Sequence, residues 1–259
     1  MQGETYQSID GLDGYRHLSL TSVGSTNVEA MERARAGDVG NLWITATEQI
    51  TGKARRGRSW VSKPGNLYSS LLLIEPAEPV ALASLPLVVS VALHDAVTTI
   101  APLLRQQAAI KWPNDLLIGG KKTSGILLEA AQLSGGRQAV VIGCGINCRH
   151  FPDDSLYPAT SLAAEGADIA PEQLFPVYAK ALAQALDEWN RGSGLASIRQ
   201  RWLQVCKGIG EPITARFPTH EISGTFHALD EDGQLVLVDS GGTEHRIAAA
   251  DIFFGISNT

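Results

Sequence analysis

Apolar positions along this chain switch between a two-residue and a helical period, and the switches lay out the elements. Residues 15–23 read as a short strand. Ser25-Thr26-Asn27 comes next, ahead of Val28 to Ala36 where the spacing becomes helical. This predicts an amphipathic helix with an N-cap in the polar triplet and a close near Gly37. Leu42 to Glu48 alternates as a strand, whereas Gln49 to Gly65, polar, basic and glycine-containing, fits neither period and reads as a mobile loop. Asn66 to Ile74 is again a strand. The apolar window Val80 to Leu104 is long enough for a membrane span, but Pro86, His94 and Asp95 interrupt it and no basic flank orients it. A buried core helix is the expectation there.

Further on, Ala109 to Trp112 enters a proline-containing turn before a strand at Asp115 to Ile118, and Gly119-Gly120 forms a hairpin turn into Lys122 to Ala130. Gln138 to Gly143 adds a strand, and helical patterning returns at Pro171 to Arg191 and Leu195 to Lys207. Strands clustered this way, with helices on one side, predict an α+β sheet domain. From Pro212 the texture changes. Ile213, Ala215 and Phe217 alternate, residues 229–233 make a turn, and Leu235 to Val238 and Glu244 to Ala248 are short strands. The chain therefore divides into a larger α+β domain, 1–208, and a small all-β module, 209–259.

Composition narrows the class of function. With 259 residues, 44% hydrophobic and 19% charged, the chain can build a sizeable core and is far from a disordered composition. A net charge of −6 argues against a surface made to neutralise nucleic-acid phosphates. Phosphate chemistry must be local, and Lys53, Arg55, Arg56, Arg58 and Lys63 supply one basic stretch. Cys144, Cys148 and Cys206 lack a disulfide framework or a full set of zinc ligands, so they read as free thiols in a reducing compartment. The N-terminal residues show no secretory signal, which places the product in the cytoplasm, away from any membrane.

Four motifs could carry chemistry. Gly52-Lys53-Ala54-Arg55-Arg56-Gly57-Arg58-Ser59-Trp60 presents cations and an aromatic on one loop, suited to holding two anions together while charge grows on a phosphate. Lys111-Trp112-Pro113-Asn114-Asp115 groups a cation, an amide and a carboxylate around a turn. Lys122 precedes the apolar strand Thr123-Ser124-Gly125-Ile126-Leu127-Leu128-Glu129, and Gly143-Cys144-Gly145-Ile146-Asn147 puts glycines where backbone can approach a ligand. Singly, each is also an ordinary feature: a solvated loop, an exposed turn, a snorkelling lysine, a tight turn.

Their order and spacing together, from Val23 to Asn147 and beginning with Ser25-Thr26-Asn27 and Gln49, closely resemble the catalytic domain of biotin protein ligases. The module after Pro212 resembles that family's C-terminal domain. The resemblance implies a mixed-sheet catalytic domain of the class II synthetase-like, biotin/lipoate ligase type, followed by an SH3-like β-barrel. It implies that ATP, Mg²⁺ and biotin give biotinyl-adenylate, and that biotin then passes to a lysine of a biotin carboxyl carrier protein of acetyl-CoA carboxylase or a related carboxylase. Ser25, Thr26 and Asn27 would meet the ureido ring; Gln49, Lys53, Ala54, Arg55 and Lys122 would line biotin and its carboxylate. Arg56, Arg58, Trp60, Asn114 and Asn147 would surround the nucleotide, with Trp60 on adenine. Lys111, Asp115 and Arg55 would stand nearest the chemistry, with Asp115 receiving the acceptor lysine's proton; no metal ligands are implied.

Two rivals share part of this logic. A lipoate or octanoate ligase would be expected to carry an R-R-x-x-G-G-G loop, which is absent. A biotin-sensing repressor would need a DNA-binding domain ahead of Ser25, which stands too near the start for one. Homodimerisation stays open. Two departures from the family pattern matter: Lys53 and Ala54 replace an arginine and a glycine of the commonest loop, so Ala54 must keep a negative φ. Ile252-Phe253-Phe254 also lacks the arginine often found near the end of family members, so whether the module contacts nucleotide stays open.

Overall fold

The computed structural model describes residues 5–152 and 157–255. An eight-stranded mixed sheet runs through it: β1 (Gln7–Ile9), β2 (Leu12–Val23), β3 (Leu42–Gln49), β4 (Leu67–Ile74), β5 (Ala108–Lys111), β6 (Asp115–Ile118), β7 (Lys121–Gln132) and β8 (Gln138–Ile146). Their order is β1-β2-β3-β4-β8-β7-β6-β5. Among these eight strands only neighbours β2 and β3 run parallel, and a parallel pair needs a crossover, here α1 (Thr26–Arg35). The other neighbours are antiparallel; β6 and β7 are joined at Gly119-Gly120, whose φ values of +57° and +78° suit a two-residue hairpin turn.

The two sheet faces are covered differently. Trp43, Leu71, Val140 and Ile142 point to one face and pack on α2 (Leu85–Ile100), α3 (Pro171–Trp189) and α4 (Leu195–Val205). Leu42, Ile44, Leu72 and Val141 point to the other, where Ala30, Met31 and Ala34 of α1 cover them. The expectation of helices on one side is therefore corrected. Alternate residues of a strand face opposite ways, so β3, β4 and β8, apolar on both faces, require a cover on each.

Helix α2 is apolar nearly all round because it lies between the sheet and the outer helices. Ala81–Ile100 has the length and composition of a membrane span, yet 72% of that stretch is buried inside the protein. Hydroxyls at and just before this helix serve the core: Ser84 Oγ, at the N-cap position, accepts from Trp189 Nε1 at 2.9 Å and Ser90 Oγ from Trp202 Nε1 at 3.0 Å.

A five-stranded antiparallel sheet follows, β9 (Pro212–Arg216), β10 (Glu221–Leu229), β11 (Leu235–Val238), β12 (Glu244–Ile247) and β13 (Asp251–Phe254), in the order β12-β11-β10-β9-β13. The hydrophobic pattern did not reveal β1, β10 or β13. Exposed and half-buried positions dominate the first two, and β13 is only four residues long. Ile213, Ala215, Phe226 and Ile252 belong to the same buried cluster as α2 and α4, with Trp202 and Phe226 ring centroids 6.5 Å apart. The small sheet is thus seated on the larger unit, and that seating brings β13 to the site.

His17 of β2 hydrogen-bonds Thr45 Oγ1 at 2.8 Å and packs on Phe175 at 4.4 Å. Burial lowers its pKa to about 4. The folded state therefore binds this proton less readily than the unfolded chain, and stability falls as pH drops from about 6.5 toward about 4. Because the ring is partly exposed, the expected loss is only about 1–2 kcal/mol. Chemical denaturation of wild type and His17→Gln at pH 7 and pH 4 should show the wild type losing that much more; parallel losses would refute it.

Candidate functional site

Register builds the floor of a cavity of about 290 Å³. Across the sheet Lys111 pairs with Asp115, Asp115 with Gly125, Gly125 with Gly145, and Gly145 with Tyr68. One rung along, Leu127 pairs with Gly143 and Gly143 with Ser70. The glycines leave the middle of the floor bare, and two groups use the space. A Cβ on Gly143 would collide with Asn27 Oδ1, and one on Gly145 would come within 2.6 Å of the Trp60 indole.

At the α1 end the side chains facing the cavity are uncharged donors and acceptors, backed by the Glu129 carboxylate. Ser25 stands at the N-cap position but makes no side-chain cap bond; the Thr26 N–H instead donates to Gln49 Oε1 at 2.9 Å. Gln49 Nε2 donates to Ser62 Oγ at 3.0 Å. Ser70 donates to Asn27 Oδ1 at 2.6 Å, and Asn27 Nδ2 donates to Glu129 Oε2 at 2.7 Å. Ser25, Thr26 and Asn27 are 3–4% exposed and line the cavity.

The other end is cationic. Lys122 Nζ is 2.7 Å from Asp115 Oδ1. Arg55 Nη1 donates to Asn114 Oδ1 at 2.8 Å, and Asn114 Nδ2 donates to the Ile126 carbonyl at 2.6 Å. Asn147 is fixed by its own bond to the Thr160 carbonyl at 3.0 Å. Burial lowers the pKa of Lys111 to about 8, with Asp115 opposing and Lys122 reinforcing that shift. Burial also lowers that of Arg55, against the pull of Asp115 and Asp251, but guanidinium ionises so high that it stays charged.

The basic segment is not shapeless. Lys53 and Ser59 form an antiparallel bridge, and the Ala54 N–H donates to the Arg58 carbonyl at 2.8 Å and that of Trp60 to the Gly52 carbonyl at 2.9 Å. Arg56 and Gly57 at the tip have φ of +56° and +70°, the pairing of a type I′ turn. It is a small hairpin laid over the sheet. Arg55 and Arg58 flank the turn and line the cavity with Lys53, Ala54 and Trp60, whereas Arg56 does not line it. Arg56 Nη1 instead meets Asp251 Oδ2 of β13 at 2.7 Å, and Arg58 Nη2 lies 3.4 Å from Oδ1. Ala54 keeps a φ of −123°, so its methyl causes no strain.

Every residue named from the sequence for this site, Arg56 apart, lines one cavity. The sequence reading missed Asp251 and Tyr157, which also line it, and the support that Glu129 and Ser70 give Asn27. Glu129 closes the Gly125-to-Glu129 motif and was visible there; Asp251, 195 residues from Arg56, had no local signal.

Two family models match the chain: the Biotin/lipoate A/B protein ligase family over residues 20–147 and the Biotin protein ligase C terminal domain over residues 208–255. A biotin--[acetyl-CoA-carboxylase] ligase of Paracoccus denitrificans is 39% identical, the alignment covering 91% of this chain and 99% of that protein. The bifunctional ligase/repressor BirA of Escherichia coli is 29% identical over 91% of this chain and 73% of its own length. Among solved structures, the biotin protein ligase from Aquifex aeolicus in complex with biotin and ATP matches with a TM-score of 0.77 at 25% identity, covering 92% of this chain and 99% of that one.

The bare floor can be tested directly. Gly143→Ala should push Asn27 off Ser70 and Glu129 and destabilise the fold by about 1–3 kcal/mol, each kcal/mol being about 2–4 °C in Tm. Gly24→Ala, whose Cβ would meet nothing closer than Thr51 Oγ1 at 3.4 Å, should stay within about 0.5 kcal/mol. Equal melting of the two variants would remove Gly143 from this role.

Proposed function

This chain belongs to the biotin protein ligase family, and we propose that it is a biotin--[acetyl-CoA-carboxylase] ligase in which the cavity described above is the active site. The observation that carries the assignment is the polarity of that cavity. Biotin has a neutral ureido head and a carboxylate tail. A pocket needs a few placed hydrogen-bonding groups for the head, which Thr26, Asn27, Gln49 and Ser25 supply, and cations for the tail, supplied by Lys122, Arg55 and Lys53.

In the first step a biotin carboxylate oxygen attacks the α-phosphorus of ATP, and pyrophosphate leaves. Bringing the two anions together needs positive charge already in place, the role we give to Lys111, Arg55 and Arg58. Arg56, Trp60, Asn114 and Asn147 complete the nucleotide end. Asp115 and Asp251 are held by cations, and no group of three potential metal-ligating side chains occurs among the described residues. We take Mg²⁺ to arrive with ATP, held chiefly by the phosphate oxygens. In the second step the neutral amine of a carrier lysine attacks the acyl carbon, AMP leaves, and a proton is released. Asp115 is our acceptor for that proton: a carboxylate has two oxygens, so the pair with Lys122 does not exhaust it. Residues 1–208 would carry both steps, with 209–259 supplying Asp251.

The decisive measurement is biotin-dependent exchange of labelled pyrophosphate into ATP. Exchange with biotin is expected; exchange with lipoate alone would move the protein to the other branch of the family. Lys122→Ala should weaken biotin binding far more than ATP binding in calorimetry, and unchanged biotin affinity would exclude Lys122. Arg55→Gly should remove a charge-assisted hydrogen bond worth roughly 1.5–3 kcal/mol, cutting retention of the adenylate about 10- to 150-fold. Escaped adenylate would then biotinylate a bystander protein while exchange continues; a clean bystander beside normal exchange would shift the role to Arg58.

A further inference from the structure

Most cations at the site are already answered by an oxygen. Lys122 is held by Asp115, Arg55 by Asn114, and Arg56 and Arg58 by Asp251. Lys111 differs. It is 5% exposed, and among the described residues no hydrogen bond or ion pair reaches its Nζ, which lies 3.6 Å from the centroid of the Tyr157 ring. Phe254 and Phe253 of β13 stand farther out at 5.6 and 6.0 Å, and the Tyr157 and Phe253 rings touch at 5.0 Å. An ammonium over a ring face is attracted by the ring quadrupole without being neutralised.

We propose that Tyr157 is a positioning residue for adenylation: its ring face, backed by Phe253, holds Lys111 in the cavity as a charged ammonium whose N–H donors stay available to the reacting carboxylate and phosphate oxygens. This rests on the ligase reading above. A carboxylate in the same place would hold Lys111 as firmly but would compete with the anionic reactants for its protons. The ring orients the cation and leaves its hydrogen-bonding capacity to them. The C-terminal sheet thus reaches the chemistry through aromatic faces, where the sequence had shown only the lack of an arginine.

The arrangement has a signature in pH. Around Lys111 the charged and titratable groups are Asp115 on β6, Lys122 on β7, Asp251 on β13 and Tyr157 itself, with Lys207 against Phe254 and Arg216 against Phe253 behind them. Lys111 titrates at about 8, so a step needing its ammonium is supported below that pH and lost as pH rises through it. Replacing the ring by an aliphatic chain keeps the burial that lowers this pKa and removes the attraction that opposes it. The alkaline limb must then move to lower pH.

The test compares wild type, Tyr157→Phe and Tyr157→Leu in biotin-dependent pyrophosphate exchange from pH 6 to 10. Tyr157→Phe, which keeps the face, should match wild type. Tyr157→Leu should lower kcat roughly 2- to 30-fold with the KM for biotin unchanged, and shift the alkaline limb down by about half to one and a half pH units. A Tyr157→Leu profile equal to wild type, a loss uniform across pH, or equal impairment of Tyr157→Phe would each overturn the proposal. No exchange by the wild type would sink the ligase reading itself, which separates the two failures.

Discussion

The constraint on which the rest of the site depends is the absence of side chains at the centre of the sheet. Gly125, Gly143 and Gly145 occupy adjoining rungs of β7 and β8 on the α1 face. Glycine weakens a strand, since it contributes no side chain to cross-strand packing and loses more conformational entropy on folding. That cost is accepted in the middle of an eight-stranded sheet, where flanking rungs such as Val140 and Ile142 are fully packed. Removing the three side chains lets Asn27 descend at one point and the Trp60 indole at another. A helix start and a basic hairpin, distant in sequence, are thereby brought onto one surface.

Much of this was legible in the sequence because the signals were local. Glycines at a strand end, a polar triplet before a helical period and a lysine ahead of an apolar strand each depend on neighbours within a few positions. Even so, periodicity alone put the helices on one side of the sheet. It ranked α1 with the others, although Leu42, Ile44 and Leu72 already showed that the central strands are apolar on both faces. Two features stayed out of reach for a different reason. The segment after Gln49 was read as irregular, because a hairpin held by a few backbone bonds over a polar site has no hydrophobic alternation to show. Asp251 and Tyr157 were invisible because their roles come from tertiary contact: in the sequence Asp251 is one acid at the start of a short strand, and only folding brings Arg56 and Arg58 onto it.

Charge follows the same division. The chain is net acidic, with −6 overall, yet Lys53, Arg55, Arg58, Lys111 and Lys122 converge on one cavity. Uncompensated, such a cluster would repel itself, and in a partly buried site that repulsion is less screened than at the surface. Asp115 and Asp251 lie among these cations, each sharing its charge with more than one. The pairings leave net positive charge at the site while removing the closest repulsions. A pocket for anionic reactants can therefore be maintained in a protein that is acidic elsewhere.

The turn at the tip of the basic hairpin shows how that compromise reaches the backbone. A left-handed residue other than glycine costs roughly 1–2 kcal/mol, and Arg56 at φ +56° incurs it while Gly57 at +70° does not. Asparagine at position 56 would suit a type I′ turn better. The partly exposed pair with Asp251 returns about 1 kcal/mol, so the ion pair alone does not balance the strain. What it adds is direction. The backbone bonds of Gly52 to Trp60 fix the hairpin's own shape, so what an outside contact can still set is the hairpin's tilt over the sheet. A bond from the tip to β13 restrains that tilt better than one near the base. The strained arginine is then explained by lever arm: it is the residue of the hairpin from which a single contact best holds Arg55 and Arg58 over the floor.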